Sequence, residues 1–446
     1  MKEQLAAVLL VVTGVVPWFP AFAMEPVYER PPVLYHEREP DNRFTRLLAQ
    51  AQKEGFLSTG TDREILLELL DRLDIPLESQ VLVFSKTSAQ NSHIAPNTPR
   101  ALYFSDDIYV GWVQGGEIEV ASLDPHLGMV FHMMKLSERK AHRPPELVRE
   151  RSCLNCHAGS SNQDLPGLMV RSVYPSDSGL PLFEAGTFHT RHSSPIGERW
   201  GGWYVTGEVE SESHLGNAIA TAAERKFGGV DMHPIAPVAE GRIDTLDSLF
   251  DAAPYPNGGQ SDVVALMVLE HQTGVHNVLV EANLTTQATL YRHAEMKKAF
   301  NEPADSPLSE TNERILDRLA DKVLHEMLYV EEFEVPGGIE GEVSFQNAFQ
   351  SNARESSDGR SLKDFRLYGR LMKYRCSHLI YSEAFTHLPT EMRTRILDKL
   401  HSILTQPDAW PDYAHLGDSE RQHILAILSE TLPDLPPSWK KGKKGK

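Results

Sequence analysis

The spacing of apolar residues along the chain changes repeatedly, and each change predicts a different element. Arg43 to Lys53 and Asp62 to Leu73 repeat at helical spacing, the second opened by Thr61 as an N-cap. The unbroken run Val81-Leu82-Val83-Phe84 then reads as a buried strand. Ile108 to Val113 and Ile118 to Val120 flank Gly115-Gly116, the signature of a hairpin, and Met129 to Met133 reads as a further strand. Residues 24–140 are therefore expected to form a small α+β domain. Its leader, with Pro26, Pro31, Pro32 and Pro40, is expected to be extended and poorly ordered.

Pro144-Pro145 opens a stretch of helix formers that runs to Ser152, which predicts a short helix with the pair Cys153 and Cys156 on it or just after it. Frequent Gly and Pro up to Gly202 predict loops wrapped around something, with strands at Leu168 to Val173 and Trp203 to Gly207. From about Thr245 the pattern turns helical. Ser261 to Phe300 carries an apolar stripe at Val264, Met267, Val268, Val275, Val278 and Leu279, and Asn312 to Val330, Leu362 to Phe385, Glu391 to Leu404 and Ser419 to Leu432 continue in the same way. The predicted class is α+β: a β-containing N-terminal domain, a middle region at 141–240, and a mostly helical region at 241–436. A basic, solvated tail follows at 437–446.

The first residues add a compartment. Lys2, the apolar run Leu5 to Val16, two helix breakers at Pro17 and Pro20, and Ala21-Phe22-Ala23 make a signal peptide over 1–23 with cleavage after Ala23. The rival is an uncleaved N-terminal tether, but the run is short for ~30 Å of hydrocarbon. Export to the periplasm is the expectation, with no transmembrane span in the mature chain. The formal net charge of -18 over 446 residues repels nucleic-acid phosphates, and it suits a protein that docks on a basic partner.

An exported protein normally spends its cysteines on disulfides. Here only Cys153, Cys156 and Cys376 occur, and the first two stand in Cys153-Leu154-Asn155-Cys156-His157. Thiols at i and i+3 share one face of a helical turn, so each reaches one vinyl group of a porphyrin. The adjacent His157 then lies beneath the macrocycle as the proximal iron ligand, the signature of c-type haem attachment. Covalent attachment of haem takes place outside the cytoplasm, so motif and signal peptide agree. A thioredoxin-type pair would follow a hydrophobic strand rather than Arg149-Glu150-Arg151-Ser152. A zinc site lacks a second ligand pair, and a disulfide across two residues is strained.

The motif resembles the attachment site of c-type cytochromes. Four further stretches, Pro99 to Phe104, Leu165 to Val173, Arg199 to Gly207 and Leu269 to Gln272, resemble a family of exported bacterial proteins that contain a cytochrome c domain. That resemblance implies one covalent haem c and export, and it implies no particular reaction.

The sixth iron position stays open among four residues. Met169 is close in sequence but strand-like, and His192 lies in a polar loop. Met267 and His271 share one face of the long helix. His214 reads as a surface residue, and Cys376 as a buried, inert thiol. Arg171 or Arg199 suits a haem propionate, and Trp200, Trp203 and Tyr204 form either a pocket wall or an aromatic core edge. The reading that follows is a monohaem electron carrier with a redox partner protein. The alternative is a haem enzyme or sensor with an open iron site, acting on peroxide, nitric oxide or an organic substrate.

Overall fold

The apolar runs between residues 81 and 148 assemble into one antiparallel sheet in sequence order: β1 (Val81–Val83), β2 (Arg100–Phe104), β3 (Ile108–Trp112), β4 (Ile118–Asp124), β5 (Gly128–Lys135) and β6 (Glu146–Val148). The computed structural model describes residues 25–140, 143–210, 212–220, 231–235 and 242–440. The expected signal segment at 1–23 and residues 441–446 of the expected tail at 437–446 lie outside the described residues; the first part of that tail is not solvated, since Trp439 is buried and its Nε1 donates to Leu397 O at 3.0 Å.

Both faces of the sheet are covered, which is why its strands read as near-continuous apolar runs. One face presents Leu82, Ala101, Tyr103, Val110, Trp112, Val120 and Met134 to helices α1 (Arg43–Glu54) and α2 (Asp62–Arg72). Thr61 caps α2 as expected, in a reciprocal capping box with Glu64. The other face presents Val81, Val83, Phe104, Tyr109, Leu123, Met129 and Phe131 to a second cluster that reaches from Tyr28 to Trp439.

The axis of that second cluster is α4 (Val263–Phe300), capped by Asp262, whose carboxylate accepts from Ala265 N at 3.0 Å. At 1.5 Å per residue its 38 residues span about 57 Å. Composition alone would let α4 cross a membrane, but 94% of its most apolar window is buried inside the protein. It is the core helix, and it packs on β5 and on α5 (Glu310–Met327). Short ladders tie down the middle of the chain. After the four-residue helix α3 (Leu154–His157), β7 (Arg171–Val173) pairs with β8 (Thr187–His189). The ladders β9 (Glu208–Val209) with β12 (Ile339–Glu340) and β10 (Ala218–Ala220) with β11 (Met232–Pro234) follow. Helices α6 (Val343–Gln350), α7 (Glu383–Thr386), α8 (Thr390–Thr405), α9 (Asp418–Thr431) and the single turn α10 (Pro437–Lys440) complete the C-terminal part. With about 39% helix and 15% strand among the described residues, an N-terminal sheet and C-terminal helices, the chain is α+β.

Four local expectations are corrected. The Pro-rich leader is packed: Tyr28, Val33 and Tyr35 are buried, and the Tyr35 hydroxyl donates to Met129 O at 2.9 Å. Glu146-Leu147-Val148 is a strand, because pairing with Met133 to Lys135 outweighs helix propensity. Trp203 to Gly207 runs extended beside β1 but holds only isolated bridges, Val83 to Trp203 among them. Leu362 to Phe385 is turns and single helical turns rather than a helix, since Leu367 and Gly369 adopt left-handed backbone angles that end any helical repeat.

Candidate functional site

The Cys153–His157 segment is a single helical turn, entered through a 3-10 turn at Arg151–Cys153 and continued by α3. Leu154 is buried and anchors the turn in the core of the α4 side. Cys156 is exposed and Cys153 half-buried, so both thiols stand at the edge of the protein rather than inside it. Burial raises the Cys153 thiol to about 11, helped by the carboxylates of Glu119 and Glu150.

His157 is held from several directions. Its Nδ1 donates to Gly167 O at 2.9 Å; a carbonyl only accepts, so the proton sits on Nδ1 and the Nε2 lone pair is free for a metal. Its ring packs on Phe131 of β5, centroid to centroid 4.3 Å. Its carbonyl accepts from Gly167 N at 2.8 Å and from Asn162 Nδ2 at 3.1 Å. Burial lowers its basicity, Arg100 and Arg171 add to that, and the Gly167 carbonyl and Glu119 oppose it. The imidazole is therefore neutral at neutral pH.

The loop carrying Gly167 is clamped by α4. Asn277 Oδ1 accepts from Leu168 N at 2.8 Å, and Asn277 Nδ2 donates to Leu168 O at 2.9 Å. A Cβ on Gly167 would lie 2.6 Å from Asn277 Oδ1, so only glycine permits this approach.

Arg100, Arg171 and the Glu119 carboxylate lie near His157. Arg100 pairs with Glu119 on the same sheet face as Phe131, and Arg149 lies 4.2 Å over the Tyr35 ring. Buried guanidinium nitrogens of Arg100 (Nε), Arg149 (Nε and one terminal nitrogen) and Arg171 (Nε) have no hydrogen-bond partner. Buried polar groups are normally paired. Unsatisfied arginine donors beside a histidine with a free Nε2 fit a group that brings both a metal and carboxylates, as a haem with its two propionates does. Among the described residues, no three His, Cys, Asp or Glu side chains are arranged to hold a bare metal ion. An iron that carries four porphyrin nitrogens needs only axial ligands.

The other residues singled out from the sequence fall in two places. Met169 lies in the clamped loop, its sulfur 3.6 Å from Ser161 Oγ. Arg171 faces His157, and its carbonyl accepts from Trp203 Nε1 at 2.8 Å. His192 and His271 face one another, Nδ1 to Nδ1 3.4 Å, in a buried group with Glu326, Ser377 and Tyr329. His271 lies about 9 Å along α4 from Asn277, and Met267, one turn further, is core packing. Arg199 is committed to a fully buried pair with Glu270, NH1 to Oε2 2.8 Å. Trp200 and Tyr204 are core, and Gly201 and Gly202 bed the chain against β7 and β1. His214 is lowered to about 4 by burial and packs on Trp200. Cys376 is buried, its thiol pushed up to about 12.

Sequence reasoning passed over Phe131, Asn162, Asn277 and Arg100. Only Asn277 left a trace, as a polar residue between Val275 and Val278 in an otherwise apolar stripe. Comparison of the chain with protein-family models, with curated proteins and with solved structures gives no match.

Proposed function

We propose that the chain is an exported monohaem c-type cytochrome that passes electrons to a partner protein in the periplasm. One haem is bound through thioethers to Cys153 and Cys156, with His157 as the proximal ligand. The observation that carries this reading is the bond from His157 Nδ1 to Gly167 O. It fixes the imidazole in the tautomer that leaves the Nε2 lone pair free, directly after one half-buried and one exposed thiol. The Cys-x-x-Cys-His spacing of Cys153, Cys156 and His157 is that of c-type haem attachment.

When bound, the haem supplies a reversible one-electron change at iron. The chain's residues do the rest. Asn277 and Gly167 orient His157, and Phe131 covers one side of its ring. Arg100 and Arg171 have donors to spare for the propionates. The exposed edge at Cys156 is where an electron enters or leaves.

The test is expression of the full chain with a haem-maturation system. Mass spectrometry of the denatured protein is expected to show one added haem, lost in a Cys153→Ser, Cys156→Ser double variant. An unmodified, colourless chain refutes the reading. Carbon monoxide added to the reduced holoprotein separates carrier from enzyme: an unchanged spectrum is expected, and a shifted one makes the iron open to small ligands.

A further inference from the structure

In a chain of net charge -18, the ten residues from Arg366 to Arg375 hold four cations: Arg366, Arg370, Lys373 and Arg375. Left-handed backbone at Leu367 and Gly369 folds this segment back on itself, with Arg366 N donating to Leu371 O at 2.9 Å. The folded segment lies against the start of α9. Between them is a cleft of about 570 Å³, lined by all four cations and by Gly417 to Glu420.

Only part of that charge is used within the protein. Glu420 of α9 accepts from Arg375 Nε at 3.2 Å, from an Arg375 terminal nitrogen at 2.7 Å, and from Arg370 at 3.3 Å. Arg366 Nε donates to Tyr368 O at 2.8 Å, and Arg370 Nε to Met372 O at 3.0 Å. Among the described residues, no acceptor is bonded to either terminal nitrogen of Arg366 or to the second terminal nitrogen of Arg370 and Arg375. Lys373 Nζ reaches Asp364 only at 3.9 Å. The other carboxylate lining the cleft is Asp418, so four cations face two anions there. Burial lowers the basicity of Arg370; Glu420 opposes the fall, and Arg375 and Arg366 add to it. The cations crowd one another in spite of Glu420.

We propose that this cleft binds a small divalent oxyanion, a phosphate or a dicarboxylate. Two negative charges balance the excess of cations. Guanidinium groups with free terminal nitrogens suit the paired oxygens of either ligand. The helix behind the cleft adds donors: α9 has Gly417 as its N-cap and no side-chain cap, so its first N–H groups are left for another acceptor. The volume falls within the ~300–1,000 Å³ usual for small-molecule sites.

The far end of the cleft sets a limit on the ligand. A further hollow of about 420 Å³ shares Arg366, Arg370 and Arg375 and continues to Glu331, Glu332 and Glu334. Those three carboxylates repel a long polyanion, so the occupant is compact. Tyr329 closes this end, and its ring stacks on His271 of α4 with centroids 3.9 Å apart. The site therefore backs onto the buried pair of His192 and His271, on a part of the chain that the haem reading does not use.

The experiment is isothermal titration calorimetry of the full-length chain with sodium phosphate and, separately, with sodium succinate. An ionic strength of about 0.15 M screens diffuse surface attraction. Saturable binding of one anion per chain is expected for at least one of the two, and the one that binds identifies the ligand class. Arg366→Gln with Lys373→Gln, both at exposed positions, is expected to weaken binding about tenfold or more, as loss of charge-assisted hydrogen bonds does. Circular dichroism of that variant should match the parent. Lys298→Gln with Arg314→Gln removes the same charge from α4 and α5 and is expected to leave binding unchanged. No saturable heat with either anion overturns the proposal. So does an affinity unchanged in the Arg366 and Lys373 variant, or one weakened equally in both double variants. Chain with and without haem serves equally, so the outcome is separate from that of the haem reading.

Discussion

Replacing Arg199 by Met should cost the protein about 4 kcal/mol, the middle of the range for stripping one partner from a buried ion pair. Arg199 is 1% exposed and Glu270 is fully buried. The guanidinium donates to Glu270 Oε2 at 2.8 Å, to His192 O at 2.9 Å, and to Ser194 O through Nε at 2.9 Å and a terminal nitrogen at 2.6 Å. Met fills similar space and leaves the carboxylate in the core with no counter-charge. Burial already raises Glu270 above its usual range, with Arg199 opposing that rise, so in Arg199→Met it climbs further. The folded state then holds a proton that the unfolded state has released. Stability is therefore lost as pH rises from the unfolded value near 4.3 through the folded one. The deficit should accordingly be larger at pH 8 than at pH 5. A double variant, Arg199→Met with Glu270→Leu, should recover most of it, because no charge is left to desolvate. Equilibrium urea unfolding followed by circular dichroism at both pH values provides the comparison. A loss below about 1 kcal/mol, the worth of an exposed pair, or a deficit that does not change with pH, would refute the reasoning.

Two more outcomes follow from geometry already described. A thiol reagent added to chain made without haem should label Cys156, then Cys153, and reach Cys376 only after denaturant; early labelling of Cys376 would contradict its burial. Gly201→Ala should yield little soluble protein, since its new methyl would lie 2.2 Å from Val173 O; a melting temperature within a few degrees of the parent would show that β7 yields more easily than packing implies.

What the sequence made legible depended on how local each signal was. Thr61 with Glu64 marks a helix start because both partners sit within one turn, and the structure has that capping box. The hairpin at Gly115-Gly116 is equally local, with Gly115 in the left-handed region. Leu362 to Phe385 misled because Leu371, Met372, Tyr374 and Cys376 are apolar for packing against distant helices, a reason that mimics helical spacing without being helical. The site divides in the same way. Cys153, Cys156 and His157 form one contiguous motif. Phe131, Asn162 and Asn277 meet His157 or its loop only because the sheet and α4 bring them there. His192 and His271 were visible as candidates, yet nothing in their spacing said that they would turn towards each other.

The bidentate clamp from Asn277 to Leu168 has one more consequence. A single carboxamide reproduces there what a neighbouring strand would supply, one donor and one acceptor at matched spacing. Aspartate lacks the donor and leucine lacks both, so neither could reproduce the clamp. The rigid rod of the core and the orientation of one imidazole are joined through four atoms of one side chain. A substitution at 277 would therefore detune the imidazole while the rest of the fold stayed as it was.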